Sequence, residues 1–208
     1  MQTRSRTLAV LLFDEVELLD VAGAVQVASV AGRHWNWRPF GIVPVGLKAG
    51  PIRTRNQITL IAEAALDACP RPDVLLLPGG YGARKAAECA PLVDWCRQSC
   101  EAAEWVLMSG AGSAVAAAAG CLGGQRVAAK KDDLSWLRPL CEEVQYSEDS
   151  PLERSGKFLS SAHGAGSIEL ALALVHHSLS ASLAQRLRKT FDLEPPPVRL
   201  SLQVEGGP

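Results

Sequence analysis

The chain has 208 residues, 48% of them hydrophobic, and a formal net charge of −1. That length and composition support one substantial core and exclude a disordered chain. The near-neutral balance leaves no electrostatic footprint for nucleic acid or an anionic membrane, and no apolar run reaches the roughly eighteen residues a membrane span needs.

Basic residues precede a short apolar run at the N-terminus, but Asp14 and Glu15 follow at once with no small-residue cleavage site. The segment therefore reads as a first strand rather than a signal peptide. That strand, over 8–13, is continuously apolar, as expected when both faces are buried. A polar turn over 14–17 is followed by 18–23, which lead into a helix that continues to about Ala31. A second strand is expected over 37–45, with Pro39 and Pro44 weakening its pairing. Residues 50–53 and 57–61 read as a hairpin around 54–56. Residues 73–77 form another buried strand, which the sharp turn Pro78-Gly79-Gly80-Tyr81-Gly82 closes. A helix over 91–103 carries Pro91 in its first turn.

Residues 105–124, WVLMSGAGSAVAAAAGCLGG, organise the rest. Four apolar residues suit a short buried strand. Five small residues, Ser109 to Ser113, follow as a tight turn, and 114–119 is a strong helix former. Gly120, Gly123 and Gly124 end the helix. Strand, small-residue turn and helix make the geometry of a nucleophile elbow, whose helix N-terminus favours negative charge. The position for the nucleophile is Gly110, which has no side chain.

Beyond the elbow, 126–128 reads as a strand and 132–140 as a helix capped by Asp132 or Asp133. Strands over 144–146 and 157–161 flank a polar loop. Helices follow over 167–175 and 181–190, and 194–208, with three consecutive prolines, reads as an extended arm. Residues 1–193 then form a single domain. Strands alternating with helices predict an α/β fold with a mainly parallel sheet sandwiched by helices. Ligands in such sheets bind beyond the carboxyl ends of the strands. That rule gathers 14–20, 78–82 and 109–113.

Six cysteines stand at 69, 89, 96, 100, 121 and 141, none of them in Cys-x-x-Cys. Cys96 and Cys100 are four apart on a helix, but no partner residues complete a zinc set. They read as reduced structural thiols of a cytoplasmic protein. No metal set, phosphate loop or dinucleotide fingerprint occurs, so neither a metal nor a cofactor is expected.

Five segments taken in order, LLFDEVELLDVAG, LLLPGGYG, the elbow with AAAAGCLGG, SSAHGAGSIELALALV and FDLEPPP, resemble the ThiJ/PfpI superfamily. The resemblance implies a flavodoxin-like, class I glutamine amidotransferase-like fold, and its nearest branch holds isonitrile hydratases and sensor domains of arabinose-type regulators. With FDLEPPP opening a proline-containing arm, the chain resembles the stand-alone members. Family chemistry uses an elbow cysteine, commonly in Cys-Thr-Gly. Alignment on the helix places these three on Gly110, Ala111 and Gly112. The family carboxylate that bonds the cysteine falls on Asp20. Oxyanion-binding backbone falls on Gly79 and Gly80 with the elbow amides. Lys130 stands where many relatives have a histidine. The family also implies a homodimer; a small-molecule ligand is expected, and the charge and hydropathy point to no nucleic acid or membrane partner.

Each candidate carries two readings. Asp20 is an acid–base group with a pKa raised by burial, or a helix cap. Lys130 either reaches the pocket or joins Lys131 on the surface. His163, where relatives often have glycine, is a pocket acid–base group or a surface loop residue. Tyr81 reads as a rim contact for substrate. Ser109 and Ser113 read as elbow packing and helix capping. Cys121 lies about sixteen ångströms of helical rise past the elbow and is rejected as a displaced nucleophile. His176 and His177 complement a helix dipole as cations. Tryptophans 35, 37, 95, 105 and 136 line a pocket or fill the core. Two functions stay open. One is a hydratase, lyase or isomerase using Asp20 without a covalent intermediate; the other is a catalytically inactive binding protein, a sensor or partner subunit.

Overall fold

The structure is a computed structural model and describes residues 4–33 and 37–193. The expected arm over 194–208 and Trp35 lie outside those residues. Strand β1 (Arg6–Leu11) leads to helix α1 (Leu18–Val30), then to β2 (Phe40–Gly46), the hairpin β3 (Gly50–Arg53) and β4 (Thr59–Ala62), and the short β5 (Ala64–Ala65). Next come β6 (Val74–Leu77), α2 (Ala83–Glu88), α3 (Ala90–Ala102), β7 (Trp105–Ser109) and α4 (Ser113–Ala118). The chain continues through β8 (Arg126–Ala129), α5 (Leu134–Leu137), β9 (Gln145–Glu148), β10 (Glu153–Ser155) and β11 (Phe158–Ser161). It closes with α6 (Gly166–Ser178) and α7 (Ala181–Thr190).

Seven strands form the central sheet in the order β10-β11-β7-β6-β1-β2-β5. All neighbours are parallel except β10 and β11. The expected α/β fold with a mainly parallel sheet is therefore present. Its middle follows from the sequence: Val74, Leu75, Leu76 and Leu77 of β6 are all almost fully buried, as a strand covered on both faces requires. Helices flank the sheet in two groups. Helix α6 packs on α1, α7 and β7, and α4 packs on α2, α3 and β6.

Several boundaries differ from the sequence expectation for physical reasons. Strand β2 begins at Phe40, not residue 37. Pro44 is tolerated in it because its carbonyl, and so its missing N–H, faces the edge, where only Glu63 and the two-residue β5 adjoin. In the hairpin, Gln57 adopts φ +61°, and the Thr54 hydroxyl bonds both the N–H and the carbonyl of Ile58. The turn thus extends to Ile58, and the return strand starts at Thr59. The helix expected over 132–140 is only Leu134–Leu137, with 3₁₀ turns at Lys131–Asp133 and Arg138–Leu140. Pro139 lacks the N–H that would continue it. Asp133 holds the cap position as expected, but its side chain makes no cap hydrogen bond and instead accepts the Trp136 indole N–H at 3.3 Å. Helix α2 and strand β10, six and three residues long, were not expected.

Candidate active site around Asp20

Four chain crossings converge at the carboxyl ends of the central strands. The turn after β1 is zipped to the turn after β6: the Glu17 N–H donates to the Gly79 carbonyl at 3.0 Å, and Val16 bridges Gly80. The hairpin loop joins them, since the Arg55 N–H donates to the Val16 carbonyl and the Leu18 N–H to Asn56 Oδ1. The elbow after β7 is the third crossing. The fourth, between β11 and α6, is fixed by the Ser167 hydroxyl, which donates to the Leu19 carbonyl at 3.0 Å. Sequence reasoning gathered the first three and missed the fourth, apart from His163.

Asp20 sits where they meet, 2% exposed, in the first turn of α1. It is not a helix cap. Glu17 holds the cap position, and the Asp20 carboxylate reaches across the sheet, where Oδ2 accepts the Gly79 N–H at 2.7 Å. Its Oδ1 has no partner among the described residues. Burial raises the Asp20 pKa from 3.8 to about 6. The Gly79 N–H opposes that rise, and the Ser109 hydroxyl, close by but outside hydrogen-bond geometry, opposes it too. Glu17 adds to the rise and Lys130 opposes it. A carboxyl with this pKa populates both protonation states near neutrality, as a general acid or base must.

Gly79 and Gly110 are glycines for structural reasons. A Cβ on Gly79 would come within 2.7 Å of the Ala111 nitrogen and 2.9 Å of Asp20 Oδ2. Gly110 has φ +53°, the left-handed conformation in which side chains are strained. An ideal Cβ there would lie 3.4 Å from Asp20 Oδ2, so a side chain at the elbow would touch the carboxylate. Ala111 and Gly112 complete the 3₁₀ turn of the elbow, both buried. The Gly79 amide, expected to serve an oxyanion, is committed to Asp20. Gly80 takes φ +121° and seats its α-carbon against the turn after β1.

The remaining candidates separate. Lys130 is exposed, and its charge reaches Asp20 as the weakest of the named influences. The His163 side chain is exposed and makes no hydrogen bond among the described residues. Its neighbour Gly164 is the residue that touches the carboxylate: a Cβ there would lie 2.5 Å from Asp20 Oδ1. Tyr81 stands at the rim, 77% exposed, with the Arg55 guanidinium 5.0 Å from its ring centre. Ser113 does not cap α4. Its hydroxyl, like that of Ser109, is buried without a partner among the described residues, which leave two hydroxyls and one carboxylate oxygen at the elbow unsatisfied. Trp105 stacks on His177 at 5.2 Å, at the opposite end of β7. His177 is not a cation: burial, with Arg154 and His176, lowers its pKa to about 4.

Solved structures share this architecture. A ThiJ/PfpI family protein from Pseudomonas syringae superposes with a TM-score of 0.79 at 18% identity, covering 99% of this chain and 82% of that one. Drosophila melanogaster DJ-1beta gives 0.79 at 19% identity, covering 92% and 100%. An AraC family transcriptional regulator from Pseudomonas putida gives 0.75 at 17% identity, covering 89% and 99%. At these identities the likeness is one of fold. Isonitrile hydratase from Pseudomonas putida is 28% identical over 193 residues, 90% of this chain and 78% of that enzyme. The sequence pattern of the DJ-1/PfpI family matches residues 6–177, from the first strand of the sheet through most of α6, and the chain belongs to that family.

Proposed function

We propose that the protein is a small-molecule hydratase in which Asp20 carries protons to and from the substrate without a covalent intermediate. The observation that carries this reading is the Asp20 carboxyl itself. It is almost fully buried, has a pKa of about 6, and is held by one oxygen while the other is unpartnered. On this reading Gly110 stands where relatives carry the nucleophilic cysteine, and the substrate takes the space a side chain would fill 3.4 Å from the carboxylate. The hydroxyls of Ser109 and Ser113 are then available to the substrate or to the attacking water.

Isonitriles suit such a site chemically, and the distant enzyme relative is named for them. Protonated Asp20 donates its proton to the terminal isonitrile carbon, giving a nitrilium ion. Water adds to that carbon as the Asp20 carboxylate takes a proton from it. The resulting imidic acid rearranges to an N-substituted formamide, so one water is consumed and the carboxyl is regenerated. Loss of water and isomerisation need the same proton transfers and belong to the same reading. The protein acts as a cytoplasmic homodimer on this account, and exposed Leu19, Ile58 and Ile61 supply apolar surface for a second copy.

A second reading, a ligand-binding protein without turnover, draws on one observation: Lys130 and His163 are both exposed, leaving Asp20 as the one buried acid–base candidate among the described residues. Formamide production from a small alkyl isonitrile separates the two. The hydratase reading expects turnover that Asp20→Asn lowers by roughly 10²–10⁴-fold, with little change in binding. Saturable isonitrile binding without formamide favours the binding protein. Full turnover by Asp20→Asn overturns the mechanism.

A further inference from the structure

A second cluster of reactive groups lies at the other end of the sheet. Cys96 and Cys100, one turn apart on the buried face of α3, hold their sulfurs 3.9 Å apart. Cys121 follows Gly120 just past the end of α4, and its thiol interacts with both. The three thiols belong to two stretches of chain, α3 and the turn after α4, which the fold brings together. Cys96 and Cys100 are 0% and 2% exposed, whereas Cys121 is half-buried. A cleft of about 510 Å³ opens onto the group, lined by Arg97, Cys100, Glu101, Cys121, Lys157 and Phe158 among others.

Two cations in the cleft wall are fixed by backbone carbonyls. Arg97 Nε donates to the Ala119 carbonyl at 3.1 Å, two residues before Cys121. Lys157 Nζ donates to the carbonyls of Cys100 and Ala103 at the end of α3. Such a partly open, electropositive surrounding distinguishes a reactive cysteine from a structural one. The electrostatics agree in direction. Hydrogen bonds from Cys100 and Cys96, with Arg97 and Lys157 behind them, hold the Cys121 thiol below the ordinary thiol range. The Cys100 thiol is pushed up, mainly by its bond to Cys121. Of the two thiols that line the cleft, Cys121 is the more acidic. No group of three His, Cys, Asp or Glu among the described residues is placed to hold a metal, so the cluster is read through thiol chemistry.

We propose that Cys121 and Cys100 form a second reactive site, a dithiol that a small hydroperoxide oxidises to a disulfide across the cleft between α3 and the end of α4. The Cys121 thiolate attacks the outer peroxide oxygen. The S–O bond forms as the O–O bond breaks, and the departing oxygen takes a proton to leave as water or an alcohol. Sulfur is oxidised by two electrons to a sulfenic acid, and the peroxide is reduced by two. Cys100 sulfur then attacks the Cys121 sulfur and expels hydroxide, which leaves as water with the Cys100 proton. Cys96, deeper and not on the cleft wall, packs behind the pair. The site is independent of Asp20, which stands at the opposite end of the strands.

The test treats the reduced full chain with stoichiometric hydrogen peroxide and maps unreduced peptides by mass spectrometry. The expected product is a Cys100–Cys121 linkage with two hydrogens lost. In Cys100→Ser, dimedone should trap a sulfenic acid on Cys121. Alkylation of the untreated protein near neutral pH should label Cys121 roughly tenfold or more faster than Cys69, Cys89 or Cys141, since an ordinary thiol is only a few per cent thiolate there. The wild-type alkylation map needs no variant to fold. A Cys96–Cys121 linkage would overturn the pairing. Oxidation or alkylation spread evenly over the cysteines would overturn the site.

Discussion

Replacing Asp20 by Asn tests the electrostatics of the site without any substrate. Asn keeps the shape and still accepts the Gly79 N–H, but it carries no charge. The folded-state pKa of Asp20 lies at about 6 against an ordinary 3.8, so the folded protein binds the proton more tightly than the unfolded chain. Stability is therefore greatest below about pH 4, falls as pH rises towards about 6, and levels off above that. Ionisation of this one group costs the fold about 3 kcal/mol at neutral pH. Asp20→Asn removes that cost. The variant should match the wild type in chemical denaturation at about pH 4 and exceed it by up to about 3 kcal/mol at pH 7–8, or roughly 6–12 °C in Tm for a chain of this size. A protein gaining stability by losing its central carboxylate keeps that group for function. Identical stability–pH curves for the two proteins would refute the reasoning, as would a variant destabilised at every pH.

The other predictions concern the surroundings of Asp20. Gly110→Ala should cost about 1–2 kcal/mol of stability for its left-handed backbone, and turnover should fall further because the new methyl lies against Asp20 Oδ2; kinetics and denaturation of one preparation check both. Gly164→Ala should displace the carboxylate, since its Cβ would sit 2.5 Å from Oδ1, and a carboxyl carbon NMR titration should show Asp20 moving from about 6. Iodoacetamide should label thiols without abolishing turnover, because among the described residues the groups around the Asp20 carboxylate are Gly79, Gly110, Gly164, Ser109, Glu17 and Lys130; complete inactivation would require a thiol in the mechanism.

Much of the fold was legible because parallel strands buried on both faces read as unbroken apolar runs, as in Val74 to Leu77 and Trp105 to Met108. Once those strands were placed, the rule for ligands at strand ends gathered the turns at 14–20, 78–82 and 109–113. Short elements such as α2 and β10 carry too few residues to show a period. Hydrogen-bond direction is not written in residue types either, and nothing in Pro-Gly-Gly says that the Gly79 N–H serves Asp20. The cap reading of Asp20 failed because a carboxylate in a first helical turn looks the same whether it bonds its own helix or a strand turn 59 residues away. His163 drew attention as a titratable group, while the contact came from Gly164, which has no side chain to notice. His177 was read as a cation because its burial is a property of the packed fold.

The central claim is that Asp20, as a buried acid, delivers the proton that starts hydration. Its most direct test is the pH dependence of kcat/KM for formamide formation from a small alkyl isonitrile, measured between about pH 5 and 8. Because the protonated carboxyl acts first, the account predicts activity that is highest below pH 6 and falls with a midpoint at about 6, the folded-state pKa of Asp20. The limb should vanish in Asp20→Asn together with most of the rate. A rate that stays flat through this range, or that falls with the same midpoint in Asp20→Asn, would contradict the claim.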